Sequence, residues 1–137
     1  MDINTFKKKI KEKLKEVPEQ SKFMETRKIF EGVASAIAEL YQEKKLKIIV
    51  ELGHSTNLGQ QLNMVALIDA VRYRDVLFRA YVPMDGFPVS LDFFGDEIIT
   101  CRDENELERQ ILNFLQNIDV AQRIRNLAEQ SDIYHNS

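Results

Sequence analysis

Two histidines and one cysteine limit the chemistry that this chain could carry. His54 lies in the polar run Gly53-His54-Ser55-Thr56-Asn57. A histidine beside a serine has the residue types of a nucleophile and its base, and Asp69 is a carboxylate that could join them in a cleft. Sequence adjacency supplies neither a group to orient the base nor a donor pair to hold an oxyanion. The simplest reading of His54 is therefore a loop histidine bonded to nearby backbone, and no residue is assigned a catalytic role. The same run has neither the Gly-Lys-Ser/Thr ending of a phosphate-binding P-loop nor a GxGxxG pattern. If Thr56 or Asn57 capped a helix, the free amides behind it could hold an anion. His54, Ser55, Thr56 and Asn57 are on these grounds the candidate ligand-binding residues.

Metal chemistry is poorly provided for. A zinc site needs three or four clustered ligands, and the other histidine, His135, stands near the C-terminal end. Asp69, Asp75, Asp85 and Asp92 are scattered, with no calcium-loop pattern among them. No metal and no cofactor is expected. Cys101 stands beside Arg102, a cation that could activate a thiol, but no CxxC or Cys/His signature accompanies it. A small core residue is the expectation.

The strongest surface constellation joins Arg72, Arg74 and Arg79 with Tyr73 and Tyr81. Arginine and tyrosine together are enriched where partners bind, and they can also grip phosphate or stacked bases. With Leu77 and Phe94 on the same side of a strand pair, these residues form the expected interaction surface. The competing reading is a solvated sheet face on which Asp92 satisfies Arg79.

The elements that must carry these residues follow from hydrophobic period. Ile3, Phe6, Ile10, Leu14 and Val17 draw one helical stripe, with lysines from Lys7 to Lys15 on the other faces and Pro18 as the stop. That stripe is expected to pack on the sheet or on the second helix, leaving the lysines solvated. The second helix is expected from a Ser21 cap through Phe23, Phe30, Val33, Ile37 and Leu40 to about Lys44. Gly32 within it could allow another helix to approach closely. The period then falls to two, and Leu46, Ile48, Val50 and Leu52 mark a strand. Gly53 to Gln61 reads as a loop. Residues 58–74 fit a strand or a helix, and the strand is favoured because its neighbours form a meander.

Asp85-Gly86 between two alternating runs signals a tight hairpin. A two-residue turn there pairs Met84 with Phe87. It then sets Val82 against Val89, Ala80 against Leu91 and Phe78 against Phe93 on the core side. Tyr81 with Ser90, Arg79 with Asp92 and Leu77 with Phe94 fall on the other side. Pro83 and Pro88 cannot donate to a ladder, so this end of the hairpin is expected to be a sheet edge. Ile98 to Cys101 makes a last strand. Asp103 with Glu106 has capping-box spacing, ahead of a helix whose apolar face is Leu107, Ile111, Phe114 and Leu115. Asp119 is expected to cap a short final helix, with a frayed tail from Ser131 to Ser137.

The fold class expected is α+β: two N-terminal helices, an antiparallel meander of four to five strands, and two C-terminal helices. Residues 1–130 make a single domain, as suits a chain of 137 residues. The net charge of −3 offers no global attraction to nucleic acid or anionic membrane. The lone cysteine suggests a reducing compartment, and the charged N-terminus does not resemble a secretory signal, so a cytoplasmic location is expected. The functional expectation is a non-catalytic protein-interaction or oligomerisation module, as a homodimer or with another protein. One alternative is nucleic-acid binding or regulation through the lysine-rich helix or the Arg72/Arg74/Arg79 face. The other is a small enzyme with a site around His54.

Overall fold

The computed structural model describes residues 2–16 and 21–136. They form four helices and one five-stranded sheet: α1 (Ile3–Glu16), α2 (Ser21–Leu40), β1 (Lys47–Thr56), β2 (Gly59–Ile68), β3 (Tyr73–Val82), β4 (Val89–Asp92), β5 (Ile99–Cys101), α3 (Glu104–Gln116) and α4 (Ile118–His135). The strands run in order β1-β2-β3-β4-β5, every neighbouring pair antiparallel. This is the α+β meander flanked by helical pairs that the hydrophobic period implies, and residues 59–68 are strand. Val17, Pro18 and the Ser21 side chain lie outside what the structure describes.

Helices α2, α3 and α4 share one face of the sheet. Phe78 on β3 meets Phe30 of α2 with ring centroids 6.4 Å apart, and Phe93 and Phe114 at 5.4 Å each. Phe93 and Phe114 stack at 4.2 Å, so four aromatic rings join α2, the sheet and α3. On the same face, Arg123 of α4 donates to both carboxylate oxygens of Asp75 and, at 3.1 Å, to the carbonyl of Val76. Asp75 pairs with Ala66 and Phe78 with Met64, two positions of equal parity on β2, which fixes all three helices to one side.

A β-bulge makes that possible. Met64 pairs with Phe78 but Val65 pairs with Val76, leaving Leu77 as the extra residue of β3. Parity therefore switches within the strand. Tyr73 and Asp75 before the bulge, and Phe78, Ala80 and Val82 after it, all face the helices. Leu77, expected on the outer surface, is instead core, at 1% exposure. A strand with strict alternation would have driven either Asp75 or Phe78 to the wrong side.

The hairpin register holds where it is paired: Arg79↔Asp92, Ala80↔Leu91 and Tyr81↔Ser90. Its turn is different from the one expected. The strands stop at Val82 and Val89, and Gly86 donates to Pro83 O at 2.9 Å, so the turn centres on Met84 and Asp85. The Phe87–Pro88 peptide is cis. Both prolines lie past the last paired residues, at the end of two interior strands and not on a lateral edge. Gly86 is required for two reasons. Its φ is +87°, and a Cβ there would lie 2.9 Å from the Thr26 hydroxyl, whose oxygen lies 3.2 Å from Gly86 O. The glycine thus presses the hairpin tip onto α2.

Three boundaries also differ. The stretch read as a loop from Gly53 to Gln61 is mostly strand: β1 runs to Thr56 and only Asn57-Leu58 turns. Gly59 closes that turn at φ +124°, where a Cβ would meet the Val82 backbone at 2.5 Å. The cap of α4 is Asn117, which accepts from the amides of Asp119 and Val120, and not Asp119 itself. Helix α4 continues through Ser131, fully buried, to His135. Lys44 reaches Asp132 and Glu129 on that last stretch at 3.3 and 3.4 Å, and those carboxylates raise its pKa.

Truncating Leu77 tests the bulge directly. Leu77→Ala is expected to cost about 3 kcal/mol of unfolding free energy, as for a buried leucine, in chemical denaturation followed by circular dichroism. A cost below about 0.5 kcal/mol is what a surface position would show, and it would place Leu77 outside the core.

Candidate binding face

The other face of the sheet carries no helix among the described residues. Its middle is a polar row across four strands: Glu51 pairs with Asn63, Asn63 with Arg79 and Arg79 with Asp92. Beside it runs a second row in which Gln61 pairs with Tyr81 and Tyr81 with Ser90. Glu51, Gly53, His54, Gln61, Asn63, Arg74 and Arg79 line a shallow depression of about 530 Å³ between these rows and the β1–β2 turn.

The charges on this face are unevenly matched. Arg74 is held by Glu51, with its Nε 3.2 Å from Glu51 Oε2 and a second bond to Oε1. Among the described residues Arg79 has no such carboxylate. The expected Asp92 partner accepts instead from the Phe94 amide at 2.8 Å. That bond holds Phe94 in a left-handed conformation, φ +63°, an uncommon setting for an aromatic residue. It also brings the ring under Arg79, whose guanidinium carbon lies 5.3 Å from the ring centroid. Arg79 Nε is buried with no hydrogen-bond partner.

Asn63, next to Arg79 in the row, is only 6% exposed, and its Oδ1 also has no partner. A third such atom, Arg27 Nε, lies 3.2 Å from Glu31 Oε1 and so keeps an ion pair despite poor hydrogen-bond geometry. The two orphans on the sheet face are different: both are buried, adjacent and directed by strand parity to the helix-free side. Leaving a buried polar group unsatisfied costs about 1–3 kcal/mol.

The bulge divides the arginine–tyrosine cluster read from the sequence. Arg74, Arg79 and Tyr81 stay together on the helix-free face, with Phe94 at its margin. Tyr73 lines depressions against α4 instead, Arg72 sits in the turn before β3 in a left-handed conformation, and Leu77 is buried. Asn63 and Gln61 belong to the face but were missed, because their parity could be assigned only once β2 was known to be a strand.

The structure does not bring Asp69 to the polar run after Gly53. His54 is exposed within a second bulge, between Leu52 and Ser55, and Gln60 Nε2 donates to Gly53 O at 2.8 Å. Thr56 caps no helix: its hydroxyl donates to Gly59 O at 2.9 Å and accepts from Leu58 N. Asn57 lies in the turn, so no helix N-terminus is present there to cradle an anion. Asp69 pairs with Lys47 at 2.7 Å, at the opposite end of β1 from His54, about 23 Å away at strand rise. Cys101 is fully buried in β5, and burial, ahead of Glu106, pushes its thiol pKa up. Among the described residues no group of three His, Cys, Asp or Glu could hold a metal, and no helix is long and apolar enough to cross a membrane.

No family model, curated protein or solved structure matches this chain.

Two measurements check this description. Asn63→Val replaces the orphaned amide with a strand-favouring side chain and is expected to stabilise the fold by about 1 kcal/mol in denaturant; destabilisation would mean that the amide is satisfied. Cys101 is expected to react with a thiol reagent only as fast as the protein unfolds. Reaction within mixing time under native conditions would contradict its burial.

Proposed function

We propose that this chain is a non-catalytic protein-interaction module that takes its partner on the helix-free face of the sheet. The observation that carries this reading is the pairing of Arg79 and Asn63. A cation without a carboxylate lies beside a buried amide oxygen without a donor, and native proteins rarely leave such groups unmatched. The complement they call for is a protein segment that presents a carboxylate to Arg79 and an N–H or O–H donor to Asn63. Tyr81 and Phe94 flank them with aromatic surface, the composition of an interface centre.

The backbone of Phe94 supports the same reading. Conformations that cost energy persist where the surroundings enforce them, and they gather at functional sites. Here the Asp92 carboxylate enforces one, and the result is a ring that stiffens Arg79. A guanidinium fixed in advance loses less freedom on binding than a solvated one.

Charge reversal separates this face from the rest of the surface. Arg79→Glu, which alters a side chain that anchors no helix, is expected to keep the wild-type circular dichroism spectrum. It is expected to weaken a captured partner by about thirtyfold or more, the loss of a hot-spot arginine. Capture of the same partners at the same affinity by wild type and Arg79→Glu, measured by pull-down and titration calorimetry, would remove the proposal.

A further inference from the structure

Helix α1 and a groove in the helix layer are each uncovered, and they complement one another. Every described residue of α1 is exposed, including Ile3 at 68%, Phe6 at 47%, Ile10 at 41% and Leu14 at 68%. The expectation that this stripe packs on the sheet or on α2 is therefore not met. A helix of 14 residues that buries none of its described side chains is marginal in water. Its stripe needs cover.

The groove lies between α2 and α3. Ile29 and Val33 form one wall and Leu112 and Leu115 the other, around a volume of about 440 Å³. Gly32 and Ala36 sit on the α2 side. A Cβ placed on Gly32 would meet nothing within 4 Å, so an incoming helix can approach α2 closely there. On the α3 rim stand Glu104 and Glu108, one helical turn apart. Lys7 and Lys11 flank one side of the α1 stripe and Lys9 and Lys13 the other, by the 100° step of the helix. An apolar stripe edged by lysines thus faces an apolar groove edged by glutamates. At about 21 Å, α1 is close in length to α3, the groove's acidic wall, at about 20 Å.

We infer that α1 of a second copy of this chain occupies the α2/α3 groove, and that two copies exchange α1 reciprocally to form a symmetric dimer. The exchange uses the same patch twice, as a two-fold interface does. It covers both stripes and both grooves while leaving the sheet face free for a partner, so it stands or falls independently of the Arg79 proposal. In this structure α1 makes no such contact with its own groove. Folding back onto it is the competing arrangement, which the following experiment separates.

A Phe6→Cys chain is mixed with a Leu112→Cys chain and treated with a short bis-maleimide. Native Cys101 is buried and does not compete. The expected result is a linked pair containing one chain of each kind, together with a mass of two chains by light scattering of the wild type. Reversing the rim with Glu104→Lys and Glu108→Lys is expected to weaken the dimer roughly fivefold, and adding Lys7→Glu and Lys11→Glu to recover it. A wild-type mass of one chain overturns the inference. So does a dimer without the mixed cross-link, and so does a Phe6→Cys/Leu112→Cys chain that links only to itself.

Discussion

The bulge at Leu77 is the constraint on which the rest of the structure depends. A β-strand shows alternate side chains to alternate faces, so one strand cannot hold both Asp75 and Phe78 against the same helix layer unless it gains a residue. The extra residue is Leu77, and three consequences follow. Asp75 meets Arg123 and binds α4 to the sheet. Phe78 enters the ring cluster that joins α2 to α3. Arg79 and Tyr81 are sent to the side where no helix covers them. Core and candidate interface are thus products of one irregularity, and they cannot be altered separately at this point in the chain.

Much of the architecture was legible because period and turn chemistry agree. The change from helical spacing in α2 to alternation in β1 marks the start of the sheet. The run Val76–Val82 against Val89–Phe94 has one register that keeps apolar residues together; it is found at Arg79, Ala80 and Tyr81, while the expected pairing of Leu77 with Phe94 is lost because the bulge turns Leu77 into the core. Asp103 caps α3 as its spacing with Glu106 implies, accepting from the Glu106 amide, while the Glu106 carboxylate returns to the amide of Arg102. The bonds from the Arg102 amide and side chain hold the Glu106 carboxyl below the usual carboxylate range.

What was not legible has physical reasons too. A bulge leaves no composition signal, so Leu77 looked like an outward residue of a regular strand. Gly53 to Gln61 is rich in turn residues, yet two of them are needed for the turn and the rest tolerate an irregular edge strand. Gly86 signals a two-residue turn by its type, but its glycine is used to approach Thr26 across 60 residues of sequence. Ser131 lacks apolar period and so reads as the start of a tail, while its burial accompanies the packing of α4 on β2 and on the turns at 42–44 and 69–71, outside the local window. The candidate face shares this origin: Asn63 and Arg79 become neighbours only through strand pairing.

The two surfaces put different demands on the same fold. The groove is apolar and rimmed by Glu104 and Glu108, and α1 carries an apolar stripe edged by lysines, the complement that a contact between copies of the chain would require. The sheet face carries a polar row with unsatisfied groups and stores backbone strain at Phe94, as suits a contact made with something else. Hydroxyl-radical footprinting of the chain, in extract from its own cells against the purified protein, tests the second assignment most directly. Tyr81 and Phe94 are expected to lose oxidation in the extract while Met84 on the hairpin tip does not. Equal oxidation of Tyr81 and Phe94 in the two samples, or protection confined to the helix layer, would contradict the assignment of the helix-free face as the partner surface.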